Sequence, residues 1–141
     1  MRTQIVNGVK IALTTEEESE VDAREVEWVN TYREKRREQF RGAASERISA
    51  LFGGKVGDKL IQAQQNLQGR ASQLHRRETR GTATPEELAE LEGMDALFDQ
   101  IVAIRVAENT ASGMLDAAGT DQSITIDERV AGIEAVAAIW P

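Results

Sequence analysis

The segment Gly81-Thr82-Ala83-Thr84-Pro85-Glu86-Glu87 lies inside a longer stretch, Asp58 to Asp116, whose reading decides the fold. Thr84 carries the side-chain oxygen that an N-cap requires. Pro85 falls at the first helical position, where its missing N–H is not needed, and Glu87 stands three residues beyond the cap, closing a capping box. Ahead of this junction, apolar residues occur at Leu60, Ala63, Leu67, Ala71 and Leu74. Behind it they occur at Leu88, Leu91, Met94, Phe98, Ile101 and Ile104. Spacings of three and four put each set on one helical face, so the stretch predicts an antiparallel helical hairpin.

Charge supports that pairing. Residues 1–50 carry nine Lys/Arg against ten acids, 51–83 carry six against two, and 84–141 carry two against twelve. A basic helix is therefore followed directly by an acidic one, and antiparallel docking sets opposite charges along the seam. The formal net charge of -7 argues against nucleic acid and anionic membranes as partners.

Working outward, Gln4-Ile5-Val6-Asn7-Gly8-Val9-Lys10-Ile11-Ala12-Leu13 reads as a β-hairpin, because Asn-Gly supplies the two positive φ values of a type I′ turn between β-branched residues. A lone hairpin is marginal in water, so it must lie on helices or on another protein. Thr14 or Thr15 then caps a long helix, with Glu17 or Glu18 able to complete a capping box. Its apolar positions are Val21, Val26, Trp28, Val29 and Tyr32, then, after a charged interval from Arg33 to Glu38, Phe40, Ala44, Ile48, Leu51 and Phe52. A continuous helix from Thr15 to Phe52 measures roughly 55 Å, against a radius of gyration of about 14 Å for a compact domain of this size. Part of it is expected to project and to associate with copies of itself as a short parallel coiled coil, or else to kink near Arg36. Gly53-Gly54 ends it, Asp58 is the expected N-cap of the next helix, and Gly69 within that helix suggests close approach of a neighbour. A last short helix is capped by Thr125 or Asp127 and presents Val130, Ile133, Ala137 and Trp140. The chain thus divides into 1–52 (hairpin plus long helix, for oligomerisation or attachment), a Gly-rich link at 53–57, and 58–141 (helical hairpin with the C-terminal helix).

No constellation for catalysis is evident. There is one histidine and no cysteine, no Gly-rich phosphate loop and no triad, which argues against an enzyme. His75 reads as a surface residue. The pairs Glu86-Glu87, Asp95/Asp99 and Asp121/Asp127 read as solvated carboxylates rather than a metal or glycosidase site. The run Arg33-Glu34-Lys35-Arg36-Arg37 reads as a solvated helix surface, or as ion pairs around a coiled coil. No cofactor or metal is expected. With no window of about 18 apolar residues and no signal-peptide pattern, the expected site of synthesis is a cytoplasm without export.

The order of features resembles a group of small proteins encoded with the tail genes of tailed bacteriophages. The resemblance rests on Ile5-Val6-Asn7-Gly8, Leu13-Thr14-Thr15-Glu16-Glu17-Glu18, Arg47-Ile48 with Phe52, Gln64-Gln65-Asn66 with Arg70, Thr84-Pro85-Glu86-Glu87, Ile101-Val102-Ala103-Ile104-Arg105 and Trp140-Pro141. Two features depart from the pattern: Gln62-Ala63 stands where such proteins often carry a Trp, and Gly53 to Gly57 replaces a Phe-Pro junction. The resemblance implies a structural virion protein of the tail fibre or baseplate, or a fibre-assembly chaperone that leaves the particle. The expected partners are other copies, a trimer being one option, and other tail proteins. The expected contact residues are Val21, Val26, Trp28, Val29, Tyr32, Phe40 and Trp140.

Overall fold

The structure, a computed structural model, describes residues 2–140. It is mainly helical: β1 (Thr3–Val6) and β2 (Val9–Ala12) form an antiparallel hairpin, followed by α1 (Thr15–Leu51), α2 (Gly57–Thr79), α3 (Pro85–Ala117) and α4 (Ile126–Ile139). Fold class and element order are as the sequence predicts. The chain forms two compact units, one of residues 1–39 and 111–141, the other of residues 40–110. The Gly-rich link 53–57 lies inside the second unit, residues 53–56 between the two helices and Gly57 as the first residue of α2.

Local chemistry explains most element boundaries. Asn7 (φ 51) and Gly8 (φ 80) adopt the positive φ values of the predicted turn. Thr14 is the cap of α1: its Oγ1 accepts from the Glu17 N–H at 3.1 Å, while the Thr14 N–H donates to the Glu17 carboxylate at 3.4 Å. Thr84 and Glu87 make the same reciprocal pair at 3.1 and 3.2 Å. Thr125 accepts from the Glu128 N–H at 3.2 Å. The expected cap at Asp58 is not found. Helix α2 starts at Gly57, its cap position is Val56 in extended conformation, and no side chain bonds there. Asp58 instead lies in the first turn, where a carboxylate acts on the helix dipole. Hydrogen-bonded helix continues through Arg36 without a break.

In the second unit, Ala71 and Leu74 of α2 pack with Leu91 of α3, and Met94 and Phe98 close over them. The C-terminal part of α1 contributes buried Phe40, Ala44 and Ile48. The charge seam forms as predicted. Arg70 donates to both oxygens of Glu90 at 2.9 and 3.0 Å, Arg77 pairs with Glu87, and His75 Nε2 lies 3.2 Å from Asp95. The Arg70 guanidinium holds the Glu90 carboxyl below its usual range. Glu87 is also lowered, first by the Thr84 N–H and then by Arg77. Gly69 departs from expectation, because a Cβ built there meets nothing within 4 Å.

The first unit is held together differently. Val29, Leu115 and Ile133 have no exposed surface, and two arginines are buried among them, Arg33 at 8% exposed and Arg129 at 3%. Helix α3 has no basic residue in its last turn, and its orphan carbonyls take cations from other helices. Arg33 donates to the Ala118 carbonyl through Nε at 3.2 Å and Nη2 at 2.6 Å, and Arg129 Nε donates to the Gly119 carbonyl at 2.9 Å. Arg37 reaches Asp116. The charged interval in α1 is therefore solvated only in part: Glu34, Lys35 and Glu38 are exposed, while Arg33 and Arg37 meet the negative end of α3 within the chain. Gly119 lies in the turn that follows α3. Its φ is +71, and an added Cβ would lie 2.9 Å from the Arg129 carbonyl oxygen and 3.3 Å from Ile133 Cδ1. Helix α4 buries Arg129, Ile133 and Val136, so its inner face is turned from the predicted line of Val130, Ile133, Ala137 and Trp140.

Candidate interaction surface

The hairpin is the least covered part of the chain. All eight strand residues are exposed. Its register pairs Thr3 with Ala12, Gln4 with Ile11, Ile5 with Lys10 and Val6 with Val9. Side chains alternate between faces along a strand, so Arg2, Gln4, Val6, Val9 and Ile11 share one face, and Thr3, Ile5, Lys10 and Ala12 the other. The first face is tied to α1 by polar bonds near the open end. Arg2 pairs with Asp22 at 2.5 Å and with Glu25 at 3.0 Å, its N–H donates to Glu18 at 3.2 Å, and Gln4 Nε2 donates to Glu17 at 3.1 Å. The acids crowding the first turns of α1 thus fasten the hairpin as well as favouring the helix N-terminus. Among the described residues the second face has no such tether; Ile5 upon it is 70% exposed, and Val6, Val9 and Ile11 on the first face are exposed as well. Lys10, beside Ile5, makes no ion pair within the described residues.

On α1, Trp28 is 50% exposed and stacks on Tyr32, ring centroids 5.7 Å apart. Tyr32 in turn donates its hydroxyl proton to Glu134 of α4, and Arg36 donates to the same carboxylate, through Nε at 2.9 Å. The Arg36 bond, then the Tyr32 bond, hold the Glu134 carboxyl below its usual range. The bond to Glu134 correspondingly raises the Tyr32 hydroxyl.

Of the expected contact residues, the structure leaves Trp28 open to solvent and Val21, Val26, Tyr32 and Trp140 half-buried. Pro141 lies outside the described residues. Val29 is 0% exposed and Phe40 is 3% exposed, so both belong to the chain's own cores and leave the list of contacts. The stripe read as a coiled-coil seam loses its central members for the same reason, since Ala44 and Ile48 are also buried.

A second exposed region was not anticipated. At the corner joining α1 to α2, Gly53 and Gly54 take positive φ, the Gly54 N–H donates to the Ser49 carbonyl at 2.9 Å, and Ser49 Oγ donates to the Lys55 carbonyl at 2.7 Å. This corner frames an open groove of about 500 Å³. Its apolar lining is Ala50, Val56, Leu60 and Ile61, and Glu46 is the charged residue upon it. Val56 is 70% and Ile61 52% exposed. The sequence did hold a signal for it: Ile61 lies off the face shared by Leu60, Ala63 and Leu67, so a helix that buries that face leaves Ile61 outside. Val102 and Val106 on α3 are both 57% exposed without that signal, because they stand four and eight residues after Phe98 and continue its face.

Among the described residues, no group of three or more His, Cys, Asp or Glu is placed to hold a metal ion. No helix of the described residues is long and apolar enough to cross a membrane. No family profile, no curated protein and no solved structure matches the chain, so a functional reading rests on these surfaces and on the motif order in the sequence.

Proposed function

We propose that this chain is an attachment protein of a tailed-phage virion, associated with the tail fibre or baseplate, working through protein–protein contact and assembling with copies of itself and with other tail proteins. The observation that carries the reading is the hairpin: a two-stranded sheet that is marginal alone, tethered by polar bonds on one face and presenting Ile5 in water on the other. Apolar side chains so displayed, with an exposed aromatic at Trp28, are the usual anchors of an interface. The motif order quoted above supplies the tail assignment, and on this reading no residue has a catalytic role. Quantitative mass spectrometry of purified particles is the test. Stoichiometric copies in the tail support the reading, and absence from particles removes it. Absence combined with insoluble fibres when the gene is deleted supports an assembly chaperone instead, a role that the acidic half of the chain, two Lys/Arg against twelve acids over 84–141, would also suit.

A further inference from the structure

We propose that the free face of the hairpin in one copy docks into the groove beside Glu46 in a second copy, Ile5 entering the apolar lining and Lys10 pairing with Glu46, so that the chain assembles head to tail. The inference rests on the self-association in the preceding reading and is independent of the tail assignment. Three observations carry it. The hairpin face sets one large exposed aliphatic side chain beside one cation, since Ile5 and Lys10 are cross-strand neighbours, and Lys10 has no acid partner among the described residues. The groove sets exposed Val56 and Ile61 beside one anion, and Glu46 likewise makes no ion pair among the described residues. Lys55 and Lys59 line a separate depression with Gln62 and Asn66.

Charge then selects the mode of association. Hairpin against hairpin opposes Lys10 to Lys10, and groove against groove opposes Glu46 to Glu46; both are penalised by like charge. Hairpin against groove matches apolar to apolar and cation to anion, which covers both patches in one contact. Such a contact is heterologous. Each copy keeps one unused hairpin and one unused groove, and the series closes as a ring or grows as a filament.

Sedimentation velocity on the full chain over a wide concentration range tests the proposal, with circular dichroism to show that each variant is folded; every substituted position is exposed. The wild type is expected to exceed a dimer as concentration rises. Lys10→Glu and Glu46→Lys should each weaken association by at least about tenfold, and the two together in one chain should restore it. Ile5→Asp and Ile61→Asp should each be monomeric, yet a mixture should give a one-to-one complex that grows no further, because only one intact hairpin and one intact groove remain. A wild type that stays monomeric overturns the proposal, as does failure of the double charge reversal to restore mass. Loss with Ile5→Asp but not with Glu46→Lys or Ile61→Asp overturns it in favour of a hairpin–hairpin contact. The tail reading stands or falls separately on particle composition.

Discussion

The two ends of α3 are finished by opposite means. At the N-terminal end, Thr84 and Glu87 satisfy each other's backbone donors across three residues of sequence. At the C-terminal end, no residue of the last turn is basic, and the carbonyls of Ala118 and Gly119 are met by Arg33 from α1 and Arg129 from α4. One end is a local device that any helix with that tetrapeptide would have. At the other, Thr120 Oγ1 donates locally to the Ala117 carbonyl, but the two arginine bonds exist only once distant helices have come together. A helix can therefore be legible at one terminus and opaque at the other.

Substitutions at the two ends should separate these modes. The largest effect is expected at Gly119→Ala, where a positive φ and a Cβ 2.9 Å from a backbone oxygen act together; a loss of roughly 2–4 kcal/mol is expected in denaturant unfolding. A loss below about 1 kcal/mol would mean that the loop relaxes freely and that the α3 terminus is not tightly held. Arg33→Ala should follow at about 2–3 kcal/mol, because it removes two charge-assisted bonds to Ala118 and leaves that carbonyl without its cation. Thr84→Ala, the local counterpart, should cost only about 1 kcal/mol. If the ranking of Arg33 and Thr84 reverses, the contrast between the two ends fails.

Smaller still, and of opposite sign, is Gly69→Ala. With open space around the added methyl, helix propensity alone predicts a gain of roughly 0.5–1 kcal/mol. Destabilisation would show a contact on that face of α2. The smallest effect concerns pH. Glu134 has its folded pKa held below the ordinary 4.5, first by Arg36 and then by Tyr32. Its contribution is therefore complete above 4.5 and is lost as pH falls through the depressed value. Tyr32 is raised above 10.0 by the same bond, so its contribution is complete below 10.0 and is lost as pH rises through the raised value. Glu134→Gln should reduce the fall in melting temperature on acidification. The Glu134 side chain is 39% exposed, so solvent screening keeps the change modest; an unchanged acid profile would remove the Glu134 cluster from the account of α4 docking.

The same contrast explains which expectations met the structure. Thr14-Thr15-Glu16-Glu17, Asn7-Gly8, Thr84-Pro85-Glu86-Glu87 and Thr125 are short-range signals, and each helix or turn they mark is present. The face of Ala71, Leu74 and Leu91 was legible because period 3.6 fixes it before any partner arrives. Asp58 misled because a carboxylate near a helix start can act as cap or within the first turn, and the path of Val56 and Gly57 decides between them. Arg33 misled for a longer-range reason: an arginine in a charged run looks solvated until the carbonyl that receives it is known. Of the candidate contacts, Trp28 remained outside while Val29, its chain neighbour, went inside. One residue along a helix is a turn of about 100°, and composition does not say which of two adjacent apolar residues faces inward.

Sequence by itself determined that this chain makes a hairpin and four helices, where most of them begin, and that a basic helix lies against an acidic one. Those are consequences of φ preferences, capping and periodicity, all of which act over a few residues. Tertiary structure alone decided that Arg33 and Arg129 are interior groups, that Gly119 is closely packed where Gly69 is free, and that Ile5, Val56 and Ile61 remain in water. Burial belongs to a position in space, and residues far apart in the chain must meet before it is defined.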